Sequence, residues 1–312
     1  MKTDINIINR HFKTFEEMEQ NAQNWTFKNI YKLLPQADTG SHHIIFLPDM
    51  QLTYSKHNGG ALFDVKPPKG MISVGIITSC EGKACFEETK LQEKMVIFAD
   101  DKKARTLITS NTFTATIFSF SKKRYRDLSK QLSSHMGDVI FDTDDQLTAI
   151  LQDALQKFTK DPDAADNEAY HIALQEMIIE QLRSMLAEQT PKRPKLTKGE
   201  KIALEIRNRV YRRMNAKISI SALAEEFNVS EQTLQNAFKS LFGFTPNIFI
   251  RHIKLNHVYK ALQKADPATD TIIRISKKWG FTHMGHFSRY FTKLFGENPS
   301  VILNRTDATI QK

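Results

Sequence analysis

Few side chains in this sequence are suited to making or breaking bonds. His42, His43 and His57 could ligate a metal, and Cys80 and Cys85, flanking EGKA, could form a redox pair. Neither set has the spacing that such chemistry needs. A metal site would call for a spaced His-x-His with a following acid, or for four cysteines. Adjacent histidines in a strand point to opposite faces, so His42 and His43 do not share an ion easily. Two reduced thiols are the expectation for a cytosolic chain. No nucleophile elbow or phosphate loop is present, so neither an enzyme nor a cofactor or metal is expected. Recognition chemistry is better represented. Gln232, Gln235 and Asn236 carry amides, and Arg289 a guanidinium fork, all able to hydrogen-bond bidentately.

Those recognition side chains sit in a pattern written twice, as LAEEFNVSEQTLQNAFKSLFGFTP from residue 223 and ISKKWGFTHMGHFSRYFTKLFGENP from residue 275. With a single extra residue in the second copy, Leu223 meets Ile275, Phe227 meets Trp279 and Val229 meets Phe281. Leu234 then meets Phe287, Phe238 meets Phe291, and Phe242 meets Phe295. The spacing predicts two short amphipathic helices joined by a tight turn, used twice, as helix-turn-helix units over about 220–243 and 272–296. Asn228 and Gly280 tolerate the left-handed backbone at which the first helix of each unit stops. Ser230 and Thr282 are expected to cap the second helices, which end at Gly243 and Gly296. Thr245-Pro246 and Asn298-Pro299 open further helices. The first of these runs from Asn247 to Lys264 and offers Ile250, Ile253, Leu255, Val258 and Leu262 for packing.

From about residue 198 to 303 the chain resembles the AraC/XylS transcription regulators, most closely in GFTHMGHFSRYFTKLFGENP. The resemblance implies a connecting helix that fixes two reading heads on one face of double-stranded promoter DNA. Exposed residues near the start of each second helix would then face the major groove. In the first head these are Glu231, Gln232, Gln235 and Asn236, with amides that suit adenine; Asn236 stands where many members of that family carry arginine. In the second head they are His283, Met284, Gly285, His286 and Arg289, where Arg289 suits guanine or a phosphate. Lys239 and Lys293 lie farther along, at positions for phosphate contact. The resemblance implies a regulator, mostly an activator in that family, with RNA polymerase as a partner.

Charge is segregated with the repeat. Residues 195–312 hold 20 Lys and Arg against 9 Asp and Glu, whereas residues 1–194 hold 24 against 26. A basic module beside a neutral one points to phosphate binding. Ahead of the first unit, Arg207, Arg209, Arg212 and Arg213 flank an apolar stripe of Ile202, Ile206, Val210 and Met214, leaving open a solvated face or phosphate contact.

The first part reads differently. HHIIFLP, FDVKP, MISVGIIT, MVIFAD, ARTLIT and TFTATIFSFS are β-branched and aromatic runs between turns, which predict strands over about 40–122. The resemblance implies a cupin-like barrel here that senses a small molecule. Two amphipathic helices follow within about 145–188. Leu147, Ile150, Leu151, Leu155 and Phe158 form one stripe, and Leu174, Met177, Ile178, Leu182 and Met185 the other. These helices suit either covering the strands or joining a second copy of the chain. TPKRPKLT, with two prolines, predicts a linker at 190–197. The expected plan is α+β in two domains: 1–189 for effector sensing and dimerisation, and 198–312 for DNA binding. Control by dimerisation or a protein partner, without a ligand, is the alternative. No leader or membrane span is apparent in the sequence, which leads us to expect a cytoplasmic location and no membrane partner.

Overall fold

Period-two alternation in the first part and a 3.6-residue period in the second lead to two different architectures. The computed structural model describes residues 6–22, 24–35, 38–109, 111–212 and 218–310. The chain divides into two compact units, one of residues 1–30 and 37–195, the other of residues 31–36 and 196–312.

The first unit is built from β1 (Asn6–Phe12), α1 (Phe15–Gln20), β2 (Thr26–Lys32), β3 (Thr39–Leu47), β4 (Met50–Asn58), β5 (Ala61–Lys66), β6 (Met71–Glu81), β7 (Cys85–Phe86), β8 (Thr89–Lys90), β9 (Met95–Asp100), β10 (Arg105–Ile108), β11 (Thr112–Ser121), α2 (Arg126–Ser134), β12 (Val139–Phe141), α3 (Gln146–Lys160) and α4 (Glu168–Glu188), with the last residues of β2 passing into the second unit. Seven strands form a sheet in the order β1-β3-β4-β11-β6-β9-β12, and five form another in the order β2-β5-β10-β7-β8. The two sheets are not joined into one ring among the described residues, so the ladders do not by themselves close the cupin-like barrel that the resemblance implies. The two-residue strands β7 and β8 offer few ladder bonds with which to continue an edge.

Side chains of the larger sheet alternate between two cores. Leu52, Val74, Ile76, Phe118 and Phe120 pack toward α3 and α4, against Leu147, Leu151, Leu174, Ile178 and Leu182. Ile77 and Phe113 point the other way and meet Phe63 and Phe86 of the smaller sheet. The helical stripes therefore cover a sheet. Met177 is the exception: it is 53% exposed, on the far side of α4. The strands β1 and β2 lie outside the region where strands were expected, because Asn6–Phe12 and Thr26–Lys32 mix polar residues into every apolar run.

The second unit contains α5 (Lys198–Arg212), α6 (Ile220–Glu226), α7 (Glu231–Phe242), α8 (Pro246–Leu262), α9 (Ile272–Lys278), α10 (Met284–Phe295) and α11 (Pro299–Ile310). Helix α8 carries Ile253, Leu255, Val258 and Leu262 with no exposed surface, and it packs against α5 and α7 on one side and α9 and α11 on the other. No helix among the described residues is long and apolar enough to cross a membrane.

Candidate nucleic-acid interface and a cavity in the first unit

Each helix-turn-helix is set by local chemistry that can be followed residue by residue. Helix α6 stops where Asn228 takes φ 50°, and α9 where Gly280 takes φ 83°. Ser230 caps α7 by accepting a hydrogen bond from Thr233 N at 3.1 Å. The second copy departs from the expected pattern. Its cap position is His283, which makes no side-chain cap bond, so Thr282 does not cap α10. The extra residue of the second copy lies before the helix start, and it displaces the threonine from the position that its counterpart Ser230 holds. Both helices end on left-handed glycines, Gly243 at φ 80° and Gly296 at φ 78°. Thr245 caps α8 through Ile248 N, with Pro246 in the first turn.

The apolar pairs of the repeat make the core. Leu234, Phe238 and Phe242 of α7 are buried, as are Phe287 and Phe291 of α10. Burying one such ring is worth about 1.5–3 kcal/mol. With these residues turned inward, the polar residues are turned out. Glu231, Gln232, Asn236 and Lys239 are exposed on α7, with Gln235 half-buried beside them. Gln232 Nε2 donates to Asn236 Oδ1 at 2.8 Å, so the two amides form one hydrogen-bonded pair on the surface. On α10 and at its start His283, Gly285, His286, Arg289 and Lys293 are exposed. A Cβ at Gly285 would meet nothing within 4 Å, so the backbone there is open to close approach. An Arg289 guanidinium nitrogen lies 3.2 Å from His286 Nδ1.

Met284 is different. It is half-buried, packs against the core of α8–α11, and its sulfur accepts from Ser276 Oγ at 3.4 Å, so its side chain serves packing. The basic helix α5 also separates into roles. Arg207 is 2% exposed and its guanidinium donates to Asn208 Oδ1, which removes it from any phosphate-facing surface. Arg209 forms a two-pronged pair with Glu226 at 2.7 and 2.8 Å. Arg212 is exposed, while Arg213 and Met214 lie outside the described residues.

Sequence reasoning missed a second feature, a cavity of about 80 Å³, measured as room for the centres of water molecules, inside the first unit. Its lining includes Trp25, Phe27, His42, Ser55, His57 and Phe63. His42 on β3 and His57 on β4 are each 3% exposed, with ring centres 5.5 Å apart. His43 turns to the other face of β3, toward His11 and Tyr54. Burial holds the His42 imidazole down at about 4, aided by the charge of His43, and the His57 imidazole at about 3, aided by His42. The signal was legible in β4, where Thr53, Ser55 and His57 place polar groups at every second position of one face.

Residues 223–305 match the family model described as a helix-turn-helix domain. Over 83 residues the chain is 32% identical to the probable thc operon regulatory protein of Rhodococcus erythropolis, covering 27% of this chain and 25% of that protein. Over 88 residues it is 34% identical to the XylDLEGF operon transcriptional activator of Pseudomonas putida, covering 28% and 27%. The matched segment thus spans about a quarter of either relative's length. Among solved structures, the AraC-like transcriptional activator CuxR aligns with 87% of this chain and 99% of its own, at 12% identity and a TM-score of 0.46.

Proposed function

The C-terminal module is a helix-turn-helix domain of the AraC/XylS type, and on that premise we propose that the chain is a sequence-specific DNA-binding regulator of transcription. The observation that carries this reading is the pair of outward polar faces on α7 and α10, on a scaffold whose residues 195–312 hold an excess of positive charge. In this reading α7 and α10 enter successive major grooves about one helical turn apart. Gln232, Gln235 and Asn236 read adenine in one half-site, assisted by Glu231 at the helix start. His283, His286 and Arg289 read the other, where Gly285 admits the DNA backbone or a base edge closely. Lys239 and Lys293 hold phosphates and carry no sequence information. Met284 serves by packing the start of α10, not by touching a base.

The Pseudomonas putida relative is named as a transcriptional activator, and activation with RNA polymerase as a partner is the mode we assign to this chain. Small-molecule control is assigned to the cavity of the first unit, because that cavity contains buried polar atoms with no protein partner. Selection of bound sequences from a random duplex pool, followed by footprinting with the full chain, tests the proposal. Two protected segments about 10–10.5 base pairs apart, centre to centre, are expected. Uniform binding to all duplexes would overturn it.

A further inference from the structure

The cavity between β3, β4 and the smaller sheet has walls of one kind and polar atoms of another. Phe27, Phe63, Ile77, Phe86, Phe113 and Ile117 supply apolar wall, and among the described residues no Lys, Arg, Asp or Glu lines it. Three polar atoms in the same lining, Trp25 Nε1, His42 Nε2 and His57 Nδ1, are buried with no hydrogen-bond partner. Leaving a buried donor or acceptor unpaired forfeits its hydration with nothing in return. A protein that leaves three such atoms around one space has arranged partners for something else. The space is large enough, since one water needs only roughly 10–15 Å³ by the same measure.

We propose that this cavity binds a small, uncharged, mainly apolar molecule carrying a hydroxyl, which pairs with the buried polar atoms of the lining, among them those of His57, His42 and Trp25. The inference rests on the reading of the first unit as the seat of small-molecule control, and it names the class of molecule. The hydroxyl follows from the donor set. Trp25 Nε1 can only donate, so the ligand atom facing it must accept. His57 Nε2 is 2.7 Å from Ser55 Oγ, a bond that works with either tautomer and leaves Nδ1 as donor or acceptor. A hydroxyl, with one donor and two acceptor sites, matches this set when one imidazole nitrogen donates and the other accepts.

Three other classes fit less well. A carboxylate would lose its hydration with no cation in the lining to replace it. The imidazoles stay neutral at neutral pH, for the burial already described. A sugar would set most of its hydroxyls against phenyl and isoleucyl walls, where they find no partner. A divalent metal would have two imidazoles, and no group of three or more His, Cys, Asp or Glu that could hold a metal exists among the described residues.

Calorimetric titration of the full chain at neutral pH, with phenol, benzoate and glucose as probes, tests the assignment. Phenol should bind, with benzoate and glucose at least about tenfold weaker. His57→Phe retains an aromatic beside Phe63, with which His57 now stacks at 6.0 Å, and should weaken phenol about tenfold without lowering the melting temperature. A Cβ at Gly75 would sit at an ordinary 3.5 Å from Ile97, so Gly75→Val, which adds two methyl groups beyond that Cβ, should abolish phenol binding while the chain keeps a cooperative melt. Absence of phenol binding, equal binding of benzoate or glucose, or phenol binding indifferent to both substitutions would overturn the inference. Measuring DNA affinity with and without phenol separates the two readings. Phenol that binds in the cavity without altering DNA affinity supports the ligand class and removes the assignment of control to this site.

Discussion

The guanidinium of Arg251, on the connecting helix α8, lies over the ring of Tyr290 on α10, 4.1 Å from its centre. Tyr290 follows Arg289 directly and is also overlain by it, at 5.7 Å. One aromatic ring therefore joins the helix that spans both halves of the module to the residue proposed to read guanine. Arg251 Nε is buried without a hydrogen-bond partner among the described residues. Cation–π contacts of this kind are worth about 0.5–2 kcal/mol.

Arg251→Ala should lower the stability of the second unit by about 1–2 kcal/mol and weaken binding at the second half-site more than at the first. Affinities for duplexes mutated in each half-site separately would check this. Equal losses at both would place Arg251 outside the positioning of α10.

Capping differs between the two reading helices in a way that a melt can detect. Ser230→Ala should cost about 1 kcal/mol, because α7 loses the bond to Thr233 N. His283→Ser should stabilise the DNA-free protein by roughly 0.5–1 kcal/mol, because α10 gains the cap it lacks. A serine at 283 that leaves the melting curve unchanged or lowers it would show that the start of α10 is held by other means.

Phe291 has no exposed surface and touches Phe287, Phe295 and Tyr259. Phe291→Ala should destabilise the second unit by about 3–5 kcal/mol through the cavity it leaves. Denaturant unfolding would measure it, and a variant as stable as the parent would contradict the packing derived from the repeat.

His42 and His57 give the first unit an acid sensitivity whose sign is fixed. Their folded-state values, about 4 and about 3, lie below the ordinary histidine value of 6.5, so the unfolded chain binds protons that the folded chain does not. Stability is fully present above about 6.5 and falls as pH drops toward 4, by up to about 3 kcal/mol per histidine. The groups around the pair are Phe12, Phe27, Phe63, Phe113 and Ser55, with His43 as the nearest other titrating neighbour. His57→Phe should flatten the acid limb of the stability curve. An unchanged limb would contradict the burial argument.

The second unit was legible because its signals are local and redundant. Asn228, Gly243, Gly280 and Gly296 mark turns by the backbone they permit, and Leu234, Phe238, Phe287 and Phe291 mark the core by a helical period. Thr282 misled because one inserted residue can sit on either side of a helix start, and the apolar pairs do not say which. Met284 is half-buried and Arg207 fully buried because of neighbours from other helices, which residue type alone does not reveal. The first unit was legible as strands and two covering helices, with the polar face of β4 as the one local sign of the cavity. Pairing β1 with β3 and β5 with β10 brings together residues far apart in the chain, and the histidine-lined cavity exists only after those pairings form.

Helix α10 is proposed to read sequence through Arg289, while Lys293, on the same helix, holds phosphate. Binding constants of the full chain, Arg289→Ala and Lys293→Ala should be compared on the selected site and on duplexes with each base pair of the second half-site changed. Arg289→Ala should lose about 1–3 kcal/mol on the selected site and cease to discriminate at one base pair, whereas Lys293→Ala should weaken all duplexes alike and reduce the salt dependence. Loss of affinity by Arg289→Ala that is uniform across every duplex, with discrimination intact, would contradict the account.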